Sequence, residues 1–184
     1  MKNPYLVEFD LLPKKYKRQG FCLQDNFEKK QSKKYLEKRD KMTNKYSFSV
    51  PTLEAVNTIQ HYTKEVFDFG AGTGYWAYLL EQVNIKVRCL DIKKPIISWH
   101  NIQFDISPQK NEALMIGWPK RYSKDVFYFL KSYEGNIVIY VGEFMRGCGE
   151  AEFFNFLFQM YELQEIVHLP QWGNRSDMLY ILTR

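Results

Sequence analysis

The stretch 66–80, VFDFGAGTGYWAYLL, constrains this chain more than any other. Val66-Phe67-Asp68-Phe69 alternates strand-forming residues, so it reads as a short buried strand. Gly70-Ala71-Gly72-Thr73-Gly74 must then turn the chain sharply, because glycine alone takes positive φ without steric cost. Residues 75–80 continue as a helix, with Thr73 as its expected N-cap. A strand, a glycine turn and a helix in immediate succession let a ligand lie against backbone N–H groups, and this is the frame of a nucleotide-type pocket.

The spacing of the glycines narrows the ligand. A dinucleotide fingerprint needs a small residue where Tyr75 stands, and a phosphate loop needs a Gly-Lys-Ser/Thr that is absent. What remains is Gly70-x-Gly72-x-Gly74, preceded by the acidic Asp68. A second strand, 86–90, ends at Asp91, seventeen residues beyond Gly74, where a carboxylate can accept from both ribose hydroxyls of a nucleoside. This combination resembles the first motif of class I S-adenosylmethionine-dependent methyltransferases. The resemblance implies S-adenosyl-L-methionine as cofactor, with Asp68, Gly70, Gly72, Gly74 and Asp91 around it.

At 184 residues, one domain is expected. Cys22, Cys89 and Cys148 are far apart, which argues against a disulfide framework or a zinc site and for a reducing compartment. His61, His100 and His168 show no metal-ligand spacing, so no metal is expected. Cys148 has no histidine placed to activate it and reads as a packed residue. No apolar run approaches a membrane span and no signal-peptide-like segment opens the chain, so a cytoplasmic protein without a membrane partner is expected.

Charge is distributed unevenly. Between Pro13 and Lys45 stand twelve basic residues against four acids, an excess of +8, while the remainder of the chain carries −3. A basic arm over residues 1–45, followed by a domain over 46–184, is the expected division. Its Lys/Arg within 14–45 point to an anionic partner, nucleic acid first. A solvated arm that only keeps the chain soluble is the competing reading.

Along the chain, 1–12 is too apolar to float free, and 22–44 can form a helix with Leu23, Phe27, Tyr35, Leu36 and Met42 as an interrupted stripe. Thr52 or Pro51 starts a further helix. Strands are expected at 102–106 and 113–118, yet the segments before them leave at most a turn of helix at 96–101 and 107–112. Crossovers between parallel strands normally need a dozen or more residues, so the middle of the sheet is trimmed. Its early edge then needs a cover, either the N-terminal arm or a second subunit. A helix at 123–133 capped by Ser123, a doubly buried strand at 136–142, a helix at 152–161 and strands at 163–169 and 178–183 complete the pattern. The fold class is α/β, a Rossmann-like sheet of seven mostly parallel strands, the last one antiparallel.

In such sheets the ligand lies beyond the carboxyl ends of the strands. Those ends hold the glycine turn, Asp91, Asp105, Trp118-Pro119 and Glu143. Asp105 is positioned to accept from an adenine amino group, or to cap. Glu143 ends an apolar strand and turns into the pocket, with an ion pair to Arg146 or Lys120 as the alternative. Many amino-methyltransferases carry Asp/Asn-Pro-Pro-Tyr/Phe after the fourth strand, whereas here Gly117-Trp118-Pro119-Lys120-Arg121-Tyr122 lacks the polar first residue and the second proline. An exocyclic amine acceptor is therefore unsupported, although Trp118 or Tyr122 can stack on a base.

Residues 69–77 (FGAGTGYWA), 117–119 (GWP), Tyr133-Glu134-Gly135, 140–143 (YVGE), Gly147-Cys148 and 170–172 (PQW), in this order, are similar to a poorly characterised set of methyltransferase-like proteins. Residues 46–52 (YSFSVPT) resemble the segment before that set's glycine motif. The resemblance implies cofactor binding but no established acceptor; Trp118, Pro119, Tyr122 and Glu143, at or beyond the strand ends, are the catalytic candidates. Departures at Lys120-Arg121 and Arg146 leave two readings, a methyltransferase with RNA as favoured acceptor and a non-catalytic binding module of the same fold.

Overall fold

The computed structural model describes residues 1–17, 33–145, 147–173 and 175–184. The strands are β1 (Glu65–Phe69), β2 (Lys86–Leu90), β3 (Ile102–Gln103), β4 (Ala113–Gly117), β5 (Ile137–Gly142), β6 (Glu162–His168) and β7 (Met178–Thr183). They form one sheet in the order β3-β2-β1-β4-β5-β7-β6. β1 to β5 run parallel, and β7 is antiparallel to both β5 and β6. Because β7 runs backwards, its first residues lie on the same rim as the carboxyl ends of the parallel strands.

Two-residue alternation sends Val66, Met115, Ile139, Val141 and Ile181 to one face of the sheet, and Phe67, Leu114, Ile116, Val138 and Tyr140 to the other. The first face packs against α3 (Leu53–Tyr62) and α4 (Tyr75–Glu81), the second against α5 (Asp125–Ser132) and α6 (Ala151–Met160). Thr52 caps α3, its side chain accepting from the Ala55 N–H at 3.1 Å. The expected Ser123 cap of α5 is absent: Ser123 Oγ donates instead to Asp125 Oδ2, and the helix starts two residues later.

The N-terminal helices α1 (Pro4–Asp10) and α2 (Lys33–Lys45) join the first core through Tyr5, Phe9, Tyr35 and Met42. Tyr5 stacks on Tyr46 at 4.8 Å, and its hydroxyl accepts from the Trp172 indole at 3.0 Å. Of the helix expected over 22–44, the part that carries Leu23 and Phe27 lies outside the described residues, as do Arg18, Lys29, Lys30, Arg146 and Asn174. Among the described residues, no helix is long and apolar enough to cross a membrane.

The middle is trimmed as expected, and β3 is shorter than expected. No helix occurs in 91–101 or 104–112, and β3 keeps only two residues because Phe104 is exposed and Asp105 turns to φ 53°. A side-chain pair holds the 104–112 connection against β2. Arg88 of β2 grips Glu112 through Nε (2.6 Å) and Nη2 (2.5 Å), and Nη2 also reaches the Ser107 carbonyl at 2.7 Å. Burial opposes the ionisation of Glu112, but the Arg88 fork and the Gln109 N–H outweigh it and hold the carboxyl below its usual range.

Candidate functional site

The β1–α4 turn sits at the point where the strand order reverses from β2 on one side of β1 to β4 on the other. The N–H groups of Gly70 and Ala71 both donate to the Leu90 carbonyl, at 2.8 and 3.0 Å, which pins the turn over the end of β2. The Gly72 N–H donates to Asp91 Oδ2 at 2.8 Å, and Asp91 Oδ1 accepts from the Lys93 N–H at 3.1 Å. Gly70, Gly72 and Gly74 all have positive φ, at 76°, 58° and 73°. Their surroundings differ. A β-carbon at Gly70 or Gly72 would meet nothing within 4 Å, while one at Gly74 would lie 2.7 Å from His100 Cβ. Gly74 is thus a packing glycine, and Gly70 and Gly72 border open space.

Gly74, not Thr73, is the N-cap of α4, in left-handed conformation and without a side-chain bond. The Thr73 hydroxyl is turned away to the Tyr46 carbonyl, tying the turn to the segment after α2. Tyr75 reinforces that tie: its hydroxyl donates to Asn3 Oδ1 at 2.8 Å and accepts from the Tyr5 N–H at 3.0 Å.

Asp68 lies one residue before the end of β1. It is 3 % exposed. Burial, with the Asp91 charge adding to it, pushes its pKa up to about 7. Two carboxylates and two open glycines therefore share one corner. A ligand with a ribose diol and a cationic centre has partners there, so the residues present fit S-adenosylmethionine. Asp105 is exposed, in left-handed conformation, at the end of the neighbouring edge strand.

The second part of the rim is built from β4, β5 and the start of β7. Trp118, at φ 47°, donates its backbone N–H to the Val141 carbonyl at 2.8 Å. Its indole N–H lies 2.9 Å from Ser49 Oγ and 2.8 Å from Asp177 Oδ1. Glu143 is 2 % exposed and accepts from Arg175 Nη1 at 3.1 Å and from the Ser176 N–H at 2.9 Å. Among the described residues the ion-pair partner of Glu143 is Arg175 and not Lys120, one of the two alternatives; the other, Arg146, lies outside the described residues. Asp177 is fully buried, and burial, with the Glu143 charge second, pushes it up to about 8. Pro119 is buried beside this cluster, and its carbonyl accepts from the Gly149 N–H at 2.9 Å.

Tyr122 stands apart from these groups. It is 78 % exposed, meets the Arg121 guanidinium, and lines a depression of about 390 Å³ with Met145, Gly149 and Glu150. Cys148 is buried, 3.0 Å from the Tyr140 hydroxyl, and burial pushes its thiol up to about 12, as suits a packed residue. Arg39, Ser49, Arg175 and Asp177 are the site residues that the motifs do not reveal. For the last two a signal existed, because an antiparallel last strand must start on the ligand rim.

No protein-family model matches the sequence, and no curated protein matches it. Solved structures do. The magnesium protoporphyrin IX methyltransferase of Synechocystis PCC 6803 with bound S-adenosylmethionine superposes with a TM-score of 0.51 at 12% identity, over 90% of this chain and 87% of that chain. A Thermoplasma acidophilum protein gives a TM-score of 0.51 at 15% identity, over 75% of this chain and 85% of that one. The Pyrococcus abyssi tRNA (uracil-54, C5)-methyltransferase, in complex with S-adenosyl-L-homocysteine, gives 0.48 at 16% identity over 75% of this chain. This chain spans 40% of that protein's length. The architecture is the Rossmann-like class I methyltransferase fold.

Proposed function

We propose that the chain is an S-adenosylmethionine-dependent methyltransferase whose acceptor is nucleic acid, RNA first. The observation that carries this reading is the corner formed by Gly70, Gly72, Asp68 and Asp91. Two left-handed glycines face open space, one of them fixed by the Asp91 carboxylate, and the buried Asp68 carboxylate stands near the end of β1, the strand before them. Solved neighbours of the same fold carry the cofactor or its demethylated product, which supports the reading.

The bound cofactor supplies an electrophilic methyl group on a sulfonium. This chain's residues then have three tasks. Asp91 holds the ribose hydroxyls, Asp68 offers negative charge to the cationic part, and Asp105 accepts from the adenine amino group. Trp118 and Pro119 form the wall on the acceptor side. Nucleic acid is favoured by the exposed lysines Lys14, Lys15, Lys33, Lys34 and Lys41 of residues 1–45, which we read as an arm covering the domain 46–184.

A second reading, a non-catalytic binding module, is favoured by one observation. The Trp118 indole and the Glu143 carboxylate are both committed inside the protein, to Ser49, Asp177, Arg175 and Ser176. Incubation with tritium-labelled S-adenosylmethionine and separate pools of RNA, DNA and protein decides between them. The enzyme reading expects label in RNA that disappears in Asp91→Ala. Cofactor binding without label in any pool selects the module.

A further inference from the structure

Beneath the acceptor side of the rim, an arginine is buried with part of its hydrogen-bonding capacity unused. Arg39 points inward from α2 and is 6 % exposed. Its Nε and Nη2 have no hydrogen-bond partner among the described residues, and neither has Asp177 Oδ2. Unmet donors on a buried cation are costly, so such a group is retained where something else completes it. Nε and Nη2 share one edge of the guanidinium, the edge that a carboxylate or phosphate meets with two parallel bonds.

That guanidinium lies 5.9 Å from the Phe48 ring and 5.7 Å from the Trp118 ring, and the two rings stack at 5.5 Å with 24° between their planes. Phe48 is 48 % exposed, so the stack ends in solvent. Arg175 pairs with Glu143 at 3.1 Å, whereas Nε and Nη2 of Arg39 meet no carboxylate among the described residues.

We propose that Arg39 is the anchor for one nucleotide of a single strand, with the phosphate on its Nε/Nη2 edge and the base against Phe48. This rests on the methyltransferase reading only in making that nucleotide part of the acceptor. Base–aromatic stacking together with a bidentate phosphate contact gives a sequence-tolerant grip. The grip comes from α2, whose outer face carries Lys33, Lys34 and Lys41 for neighbouring phosphates.

The test is calorimetry on the full chain, with and without saturating S-adenosylhomocysteine, using uridine 5′-monophosphate, uridine, inorganic phosphate and benzoate. The nucleotide should bind at least tenfold more tightly than uridine or phosphate alone. Arg39→Gln should weaken it at least tenfold, and Arg39→Lys, which keeps the charge and loses the fork, nearly as much. Both variants should bind S-adenosylhomocysteine as the parent does. Nucleotide affinity unchanged in Arg39→Gln, or no nucleotide binding beside normal S-adenosylhomocysteine binding, overturns the assignment. Binding of benzoate in place of the nucleotide overturns it as well. Failure of S-adenosylhomocysteine alone to bind would instead count against the methyltransferase reading and leave the Arg39 result to stand by itself.

Discussion

Gly72 and Gly74 are two residues apart and share positive φ, yet they answer to different demands. At Gly74 a β-carbon would collide with His100 at 2.7 Å, whereas at Gly72 it would enter free space. Alanine in left-handed conformation costs about 1–2 kcal/mol at either position, and overpacking adds about 1–3 kcal/mol at Gly74. Gly74→Ala should therefore lower the melting temperature clearly more than Gly72→Ala, while Gly72→Ala should be the one that weakens cofactor binding with little loss of fold. Equal melting temperatures for the two would refute this division. The buried acids make a second residue-scale prediction. The folded pKa of Asp68 (about 7) and that of Asp177 (about 8) are raised above the ordinary 3.8. Between pH about 4 and 8 the folded chain thus holds protons that the unfolded chain has released, and stability falls as pH rises through this window. Asp177→Asn keeps an acceptor for the Trp118 indole and removes the titration. Its melting temperature should match the parent near pH 5 and exceed it near pH 9, by ~4–8 °C for a difference of ~2 kcal/mol. Parallel melting curves across that range would show that Asp177 does not titrate there.

Among the elements, those governed by local pattern were legible in the sequence. β2 and β7 begin and end where their apolar runs do, and α3 starts at the Thr52 cap. Elements whose ends depend on distant partners were not. Thr73 has the chemistry of an N-cap, but its hydroxyl is drawn to Tyr46, and β3 stops early because nothing pairs with it beyond Gln103. The clustering of Arg39, Ser49, Trp118 and Asp177 comes from four separate segments, and no spacing in the sequence encodes it. The N-terminal helix is integral to this arrangement. Tyr5 and Phe9 are buried, at 0 % and 2 % exposure, against Trp172, Tyr46 and Tyr75. Losing one buried aromatic side chain costs about 3–5 kcal/mol. Deleting residues 1–12 should thus lower the melting temperature by at least about 6–10 °C. A deletion variant melting with the parent would mean that α1 contributes nothing to the fold.

The whole molecule brings together an acidic ligand corner and a basic flank. Asp68, Asp91, Glu143 and Asp177 gather along the carboxyl-terminal rim, while α2 presents lysines on its outer face. Nucleic acid binding through that flank should weaken with salt, by ~0.7 log units per log unit of salt for each phosphate contacted on a single strand. Reversing Lys33, Lys34, Lys38 and Lys41 to glutamate should flatten the slope by up to roughly 2.8, measured by fluorescence anisotropy at several salt concentrations. Binding that does not respond to salt would place the contact elsewhere. The central claim remains the cofactor corner, and its most direct measurement is calorimetric titration of S-adenosylhomocysteine into the parent protein and into Asp91→Ala. Charge-assisted hydrogen bonds contribute ~1.5–3 kcal/mol each, so saturable one-to-one binding that weakens roughly tenfold to a hundredfold in Asp91→Ala is the expected result. An affinity that Asp91→Ala leaves unchanged, or no binding to the folded parent, would contradict the account.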